Sequence, residues 1–135
     1  MKRLVGIFLS CCLLLGLCGC GGDVSDVTIK PYHSNIYTDT DVRSAIDAVK
    51  LSFYFLFPSC TMTEITYAGD DPCQREAAGR DLPPDEELIV LLSTFGVAES
   101  GADGGLVPGK TYHDFKWILI RRNGGLWSLL SYGYA

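Results

Sequence analysis

Histidine is scarce in this sequence, and its two copies are badly placed for catalysis. His33 lies in a segment without periodicity, and His113 adjoins Asp114 in a predicted strand. Neighbouring strand residues point to opposite faces, so these two side chains do not form a dyad. The histidines and cysteines also lack the spacing of a zinc site. We therefore predict no metal site and no cofactor.

Enzyme motifs are missing as well. The sequence has no Gly-x-Ser-x-Gly nucleophile motif. No glycine-rich phosphate loop follows a strand and opens a helix. We therefore predict no catalytic residues, and a non-enzymatic role is favoured.

Basic residues are also few. Eleven Lys and Arg stand against sixteen Asp and Glu, and Lys2 and Arg3 are the only charges before residue 20. The rest of the chain therefore has nine basic and sixteen acidic side chains, a net charge of −7. Such a balance argues against nucleic-acid binding and against electrostatic attachment to anionic lipids.

The beginning of the chain has the features of a bacterial lipoprotein signal. Lys2 and Arg3 precede the apolar run 4–17, which is too short to span a bilayer. The run closes on Leu17-Cys18-Gly19-Cys20, the pattern of a lipobox with Cys20 as the modified residue. The alternatives are an ordinary cleaved signal or an uncleaved one.

The lipobox predicts removal of residues 1–19 and diacylation of Cys20, for example with palmitate. Two acyl chains anchor a protein stably, whereas one binds only marginally. The predicted location is the outer, extracytoplasmic face of the cell membrane. Residues 20–37 are then the lipidated N-terminus and a flexible tether, with the glycines of Gly21-Gly22-Asp23 supplying flexibility.

Only Cys60 and Cys73 remain after the signal. Residues 61–67 read as a strand, which carries the chain roughly 23 Å away. The few residues that follow could barely return within the roughly 7 Å that a disulfide requires. This spacing favours two separate thiols, with an internal disulfide as the alternative.

Helical spacing marks one amphipathic helix near the middle of the chain. Thr38 and Asp41 form a capping-box pattern, and Pro58 ends the helix. The predicted buried stripe consists of Val42, Ala45, Ile46, Val49, Phe53, Leu56 and Phe57.

Four strands are predicted at 61–67, 87–97, 112–122 and 126–134, with a turn at Asn123-Gly124. Residues 68–84 form an irregular segment with at most one helical turn. The fold class is therefore α+β, with one N-terminal helix on a curved four-stranded antiparallel sheet and a single domain over 38–135. Two strands are apolar on both faces, so we expect the sheet either to be curved or to be partly covered by segment 68–84.

The order and spacing of these elements resemble a group of uncharacterised small lipoproteins of Gram-positive gut bacteria over residues 38–134. The resemblance implies a cystatin-like or NTF2-like curved sheet around one helix, and it implies no catalytic residues. Charged residues are usual in the last helical turns of these relatives, whereas 51–57 is almost wholly apolar here. The stretches that carry the resemblance are 41–50, 60–67, 87–93, 103–106, 117–121 and 133–134.

Aromatic residues supply the candidate binding surfaces. In the run 51–57, Tyr54 and Phe55 cannot join the buried stripe, so they form a partner or membrane patch or are covered by another segment. In the last strands, Tyr134 and the other aromatic residues form a ligand platform or pack across strands, and packing is favoured. The candidate surface residues are Tyr54, Phe55, Tyr112, Trp117, Trp127 and Tyr132.

Three functions remain open on this evidence. The leading one is a non-enzymatic module that binds another envelope component. The second is a small-molecule or enzymatic pocket, with Glu64, His113 and Tyr132 as candidate polar groups. The third is immunity to a secreted toxin. A calcium site at Glu99 and Asp103 lacks the EF-hand pattern, so a solvated loop is the better interpretation.

Overall fold

Two helices and five strands make up a computed structural model, which describes residues 21–102 and 104–134. The predicted signal peptide 1–19, Cys20 and Asp103 lie outside the described residues. In chain order the elements are β1 (Thr28–Ile29), α1 (Asp39–Leu56), β2 (Cys60–Tyr67), α2 (Asp70–Ala78), β3 (Glu86–Val97), β4 (Thr111–Arg122) and β5 (Ser128–Gly133).

The strands form one mixed sheet in the order β1-β2-β3-β4-β5. β2 to β5 are antiparallel neighbours, as predicted, but β1 pairs in parallel with β2. The predicted α+β class is therefore confirmed. The predicted four-stranded antiparallel sheet with one helix matches only roughly, because the sheet has five strands and is mixed, and there are two helices. β1 has only two residues, too few to show alternation, and α2 was predicted as one turn at most.

The capping signal of α1 is confirmed. Thr38 Oγ1 accepts a hydrogen bond from the Asp41 N–H at 3.1 Å, and Asp41 Oδ2 accepts one from the Thr38 N–H at 2.9 Å. These reciprocal bonds satisfy donors that the helix itself leaves unpaired. The helix ends at Leu56, two residues before Pro58.

The two helices lie on opposite faces of the sheet. Phe53 of α1 packs against Trp117 of β4, with ring centroids 6.3 Å apart. The neighbouring Lys116 points to the other face, where its Nζ lies 2.9 Å from Glu76 of α2. On that face α2 also contacts β3, because the Val90 N–H donates to Cys73 Sγ at 3.3 Å. Segment 68–84 therefore covers part of the second face, which was one of the two alternatives left by the sequence.

Contacts between the N-terminal segment and the domain begin well before residue 38. The Asp23 N–H donates to the Cys60 carbonyl at 2.8 Å, and the Met62 N–H donates to the Asp23 carbonyl at 2.9 Å. Further along, Tyr37 donates its hydroxyl proton to the Leu88 carbonyl at 2.7 Å. The segment that the sequence assigned to a tether thus includes β1 and packs along the sheet and α1.

The turn after β4 follows the sequence signal. Asn123 and Gly124 both have positive φ, 52° and 67°, and the Gly125 N–H donates to the Arg122 carbonyl at 2.9 Å. β5 then starts later than predicted, at Ser128, because Trp127 turns toward α1 and donates from Nε1 to the Asp41 carbonyl at 3.1 Å.

Cys60 and Cys73 are both buried and both free thiols, which agrees with the prediction from their spacing. Cys60 packs in the core on β2, whereas Cys73 lies on α2 against β3. Burial raises the pKa of each thiol above its ordinary value, so both stay protonated near neutral pH.

Candidate functional site: an uncharged aromatic cleft

The C-terminal end of α1 directs some of its aromatic side chains into the core and others to the surface. Phe53 is fully buried, and Phe57 turns inward because its N–H bonds to the Phe53 carbonyl. Phe55 is 71% exposed, and Leu56, expected in the buried stripe, is 45% exposed. Leu56 lies about 100° around the helix from its neighbours, so the chain cannot bury all of them.

A β-bulge in β4 brings two further rings to the same place. Phe95 of β3 pairs with Tyr112, and Ser93 pairs with Phe115, so two residues of β4 oppose one of β3. Asp114, in the bulge, has a positive φ of 52°. Strict alternation would place Tyr112 and Phe115 on opposite faces, whereas the bulge restores both to one face. Their ring centroids lie 5.2 and 5.1 Å from that of Phe95.

The rings form a continuous aromatic cluster from the core to the surface. Centroids of neighbouring rings lie 5.1 to 6.3 Å apart, mostly in edge-to-face geometry. Tyr132 and Tyr134, at the outer end, are 47% and 58% exposed. The cluster consists of Phe53, Phe57, Phe95, Tyr112, Phe115, Trp117, Tyr132 and Tyr134.

Beside the outer end of this cluster lies a cleft of about 650 Å³, here called the aromatic cleft. The end of α1, the loop residues 102 and 104–106, β4 and the end of β5 form its walls. Its size is within the range of about 300–1,000 Å³ found for ligand sites. The lining residues are Phe55, Leu56, Phe57, Pro58, Ala102, Gly104, Gly105, Leu106, Tyr112, Phe115, Tyr132, Gly133 and Tyr134.

None of the described residues that line the aromatic cleft is charged. The three stretches that contribute most of its walls, 51–63, 104–109 and 123–135, contain no Asp, Glu, Lys or Arg in the sequence. A charged group nevertheless lies close by, since Lys110 Nζ is 4.7 Å from the centroid of the Tyr112 ring. Polar contacts inside it come from backbone groups and tyrosine hydroxyls, for example Tyr112, whose hydroxyl accepts from the Val107 N–H at 3.0 Å.

The candidate surface residues predicted from the sequence divide into two groups. Phe55, Tyr112 and Tyr132 line the aromatic cleft. Trp117 and Trp127 are buried and serve packing, since Trp117 donates from Nε1 to Ser93 Oγ at 2.8 Å and Trp127 packs at the other end of α1. The sixth residue, Tyr54, is half-buried, and its backbone carbonyl accepts from the Gly22 N–H at 2.9 Å.

The polar residues suggested for an enzymatic pocket are not brought together. Tyr132 lines the aromatic cleft, but Glu64 and His113 are not part of its described lining. Glu64 sits in the middle of β2 and lies 3.7 Å from Lys30 Nζ. His113 is exposed beside the bulge of β4. Among the described residues, these three side chains therefore form no common site.

Metal ligands show no grouping in the part of the chain that the structure describes. No three His, Cys, Asp or Glu side chains there lie close enough to hold an ion. Glu99, which the sequence analysis assigned to a solvated loop in preference to a calcium site, lies on an exposed loop against Gly109.

Sequence reasoning missed Phe57 and Phe115 as residues of the site, whereas it named Tyr134 with the aromatic residues of the last strands. Phe57 was assigned to the core alone, although it also forms the cleft floor. Phe115 was not singled out, because no sequence signal marks the bulge that aligns Tyr112 with Phe115. A non-glycine residue with positive φ, here Asp114, gives no strong signal in a sequence.

Comparisons with known proteins give no relationship for this chain: no protein-family model, no curated protein and no solved structure matches it. Within residues 21–102 and 104–134, no helix has both the length and the apolar character needed to span a membrane.

Proposed function

We propose that this protein is a membrane-anchored extracytoplasmic lipoprotein whose domain is a non-enzymatic binding module. The lipobox at Cys20 supports the anchor and its location. The observation that supports binding most directly is the aromatic cleft, because it exposes aromatic rings without any charged group in its described lining. Its ligand is therefore an uncharged, apolar part of another cell-envelope component.

A long helix across bulged antiparallel strands is compatible with the cystatin-like or NTF2-like fold inferred from the lipoprotein resemblance. Bulges in β2 and β4 increase twist and curvature, which opens a sheet around a helix at one end. We retain this fold type, and kinship with that group of lipoproteins, as part of the proposal.

A small-molecule pocket is the second candidate, and the volume of the cleft favours it. About 650 Å³ suits a compact apolar ligand as well as it suits an apolar segment of a protein. A binding role is preferred to an enzymatic one because tyrosine is the only titratable residue type in the described lining. Toxin immunity stays a prediction from the small acidic domain.

Titration with the uncharged apolar dye N-phenylnaphthylamine tests the cleft. We expect saturable binding to the wild-type protein, and several-fold weaker binding to Tyr132→Ser and Phe55→Ser. Both side chains line the cleft and are substantially exposed, so their loss should leave the fold intact. Leu126→Ser is the matched control, because Leu126 is 93% exposed but lies outside the cleft.

Equal dye affinity in all four proteins would contradict a binding role for the cleft.

The anchor is tested by a separate measurement. Membrane fractionation should recover the wild-type protein with the membrane, whereas Cys20→Ala should be released or keep its signal. A Cys20→Ala protein that is processed normally and stays membrane-bound would refute the lipobox.

A further inference from the structure

The folded domain begins almost at the proposed lipidation site. The Gly22 N–H donates to the Tyr54 carbonyl at the end of α1, and Asp23 bonds to Cys60 and Met62 on β2. Two residues span at most about 7 Å, so Cys20 lies within that distance of Gly22. A lipid on Cys20 would therefore be held against the end of α1, with no free tether between them.

Glycine is required at this contact. A Cβ on Gly22 would lie 2.6 Å from the Phe53 carbonyl oxygen and 2.8 Å from that of Phe57, closer than atoms can approach. The glycines that suggest flexibility in the sequence thus permit close packing of the chain on the end of α1.

The last turns of α1 beside this point expose apolar side chains, whereas Asp23 next to Gly22 is an exposed carboxylate. Leu51 is 62% exposed and Phe55 71% exposed, one helical turn apart, and Leu56 is 45% exposed beside them. Together these three side chains form the apolar end of α1. No charged residue occurs between 51 and 63. Covering this end of the helix would therefore remove no charged group of this stretch from water.

We propose that the apolar end of α1 rests on the lipid bilayer, which holds the domain in one orientation with the aromatic cleft opening at the membrane surface. This inference rests on the proposed lipidation of Cys20. The short connection sets the position, and the exposed side chains enter the interfacial region as those of membrane-surface helices do. The apolar ligand of the cleft then enters from the membrane.

Site-specific fluorescence quenching tests the orientation. The full-length protein, processed and lipidated in cells, is reconstituted in phosphatidylcholine–phosphatidylglycerol vesicles that contain nitroxide-labelled phosphatidylcholine. A fluorophore is attached to Leu51→Cys in one sample and to Leu126→Cys in the other. Cys60 and Cys73 are buried, so wild-type protein should take up little label.

Leu126 is the matched control because it is an exposed leucine at the opposite end of the domain. Its neighbour Trp127 bonds to Asp41 in the first turn of α1, about 15 Å from Leu51 along the helix. We expect quenching several-fold stronger at position 51 than at position 126.

Equal quenching at the two positions in a lipidated, vesicle-bound protein overturns the orientation and leaves the proposed function standing. Cross-linking between two copies through position 51, without quenching, also overturns it and assigns the surface to self-association. A protein that mass spectrometry shows to lack lipid overturns the orientation and the proposed anchor together.

Discussion

At the residue scale, the geometry of the site depends on Asp114. This residue occupies the left-handed region of the backbone, which glycine adopts freely and Asp or Asn tolerate. Its position in the bulge lets Tyr112 and Phe115 both reach Phe95. One backbone angle therefore aligns two of the rings that line the cleft.

Substitution of Asp114 should show this dependence. We expect Asp114→Gly to keep or slightly raise the free energy of unfolding, and Asp114→Val to lower it by about 1–2 kcal/mol, because a β-branched residue is strained at positive φ. Urea unfolding measures both changes. His113→Val is the control, since His113 is exposed and lacks positive φ. If Asp114→Val matched the control, the bulge would not be under conformational constraint.

Prediction from the sequence succeeded at single residues where a particular backbone conformation favours particular residue types. Asn123-Gly124 and the Thr38–Asp41 box are two such cases, and the structure confirms both. The bulge at Asp114 has no such signal, because a shift of register depends on how two strands meet. The aromatic cleft as a whole was missed for the same reason, although the sequence named Phe55, Tyr112, Tyr132 and Tyr134 as candidates.

At the scale of elements, α1 is tied to the sheet through its first turn. Asp41 accepts from the Thr38 N–H and lies 2.9 Å from Arg121 Nη1, and Arg121 in turn lies over the Trp127 ring. The backbone hydrogen bond from Thr38 and the Arg121 guanidinium lower the pKa of Asp41 below its ordinary value of 3.8. The carboxylate therefore stabilises the fold only while it is ionised.

The pH dependence of stability follows from this lowered pKa. The contribution of Asp41 is complete above pH 3.8 and is lost as the pH falls through the lower folded-state value. We expect Asp41→Asn to reduce the free energy of unfolding by about 1–2 kcal/mol near neutral pH, and by less near pH 3. Urea unfolding at both pH values measures this. The control is Asp47→Asn, at an exposed site on the same helix, which should show neither effect. Equal losses of stability in Asp41→Asn at both pH values would contradict a stabilising role of the ionised Asp41 carboxylate.

Elements with long periodic patterns were predictable, and the shortest were not. α1 and the four antiparallel strands follow from spacing and capping, with boundaries close to those observed. β1 exists only because Thr28 and Ile29 lie beside β2, which local sequence does not encode. α2 begins Asp70-Asp71-Pro72, where acidic residues and an early proline suit a helix start, but its nine residues need packing on β3 to persist.

At the scale of the whole molecule, the two ends of α1 differ, since its first turn carries charged residues and its last turn carries none. The N-terminal end carries Asp39, Asp41 and the Arg121 ion pairs. The C-terminal end combines the aromatic cleft, the apolar end of α1 and the docked residues Gly22 and Asp23. The sequence indicated a tether at residues 20–37 because it lacks periodicity, whereas backbone hydrogen bonds fix its first part to the domain.

Replacement of Gly22 should separate that first part from the domain. Because a Cβ there meets two backbone carbonyl oxygens, we expect Gly22→Ala to cost about 1–3 kcal/mol locally. Hydrogen exchange should therefore accelerate at the Asp23 and Met62 amides, which bond across this contact. Gly96→Ala is the matched control, since a Cβ at Gly96 meets nothing within 4 Å. Unchanged protection in Gly22→Ala would mean that the chain is not held at this point, and the fixed distance between lipid and domain would be lost with it.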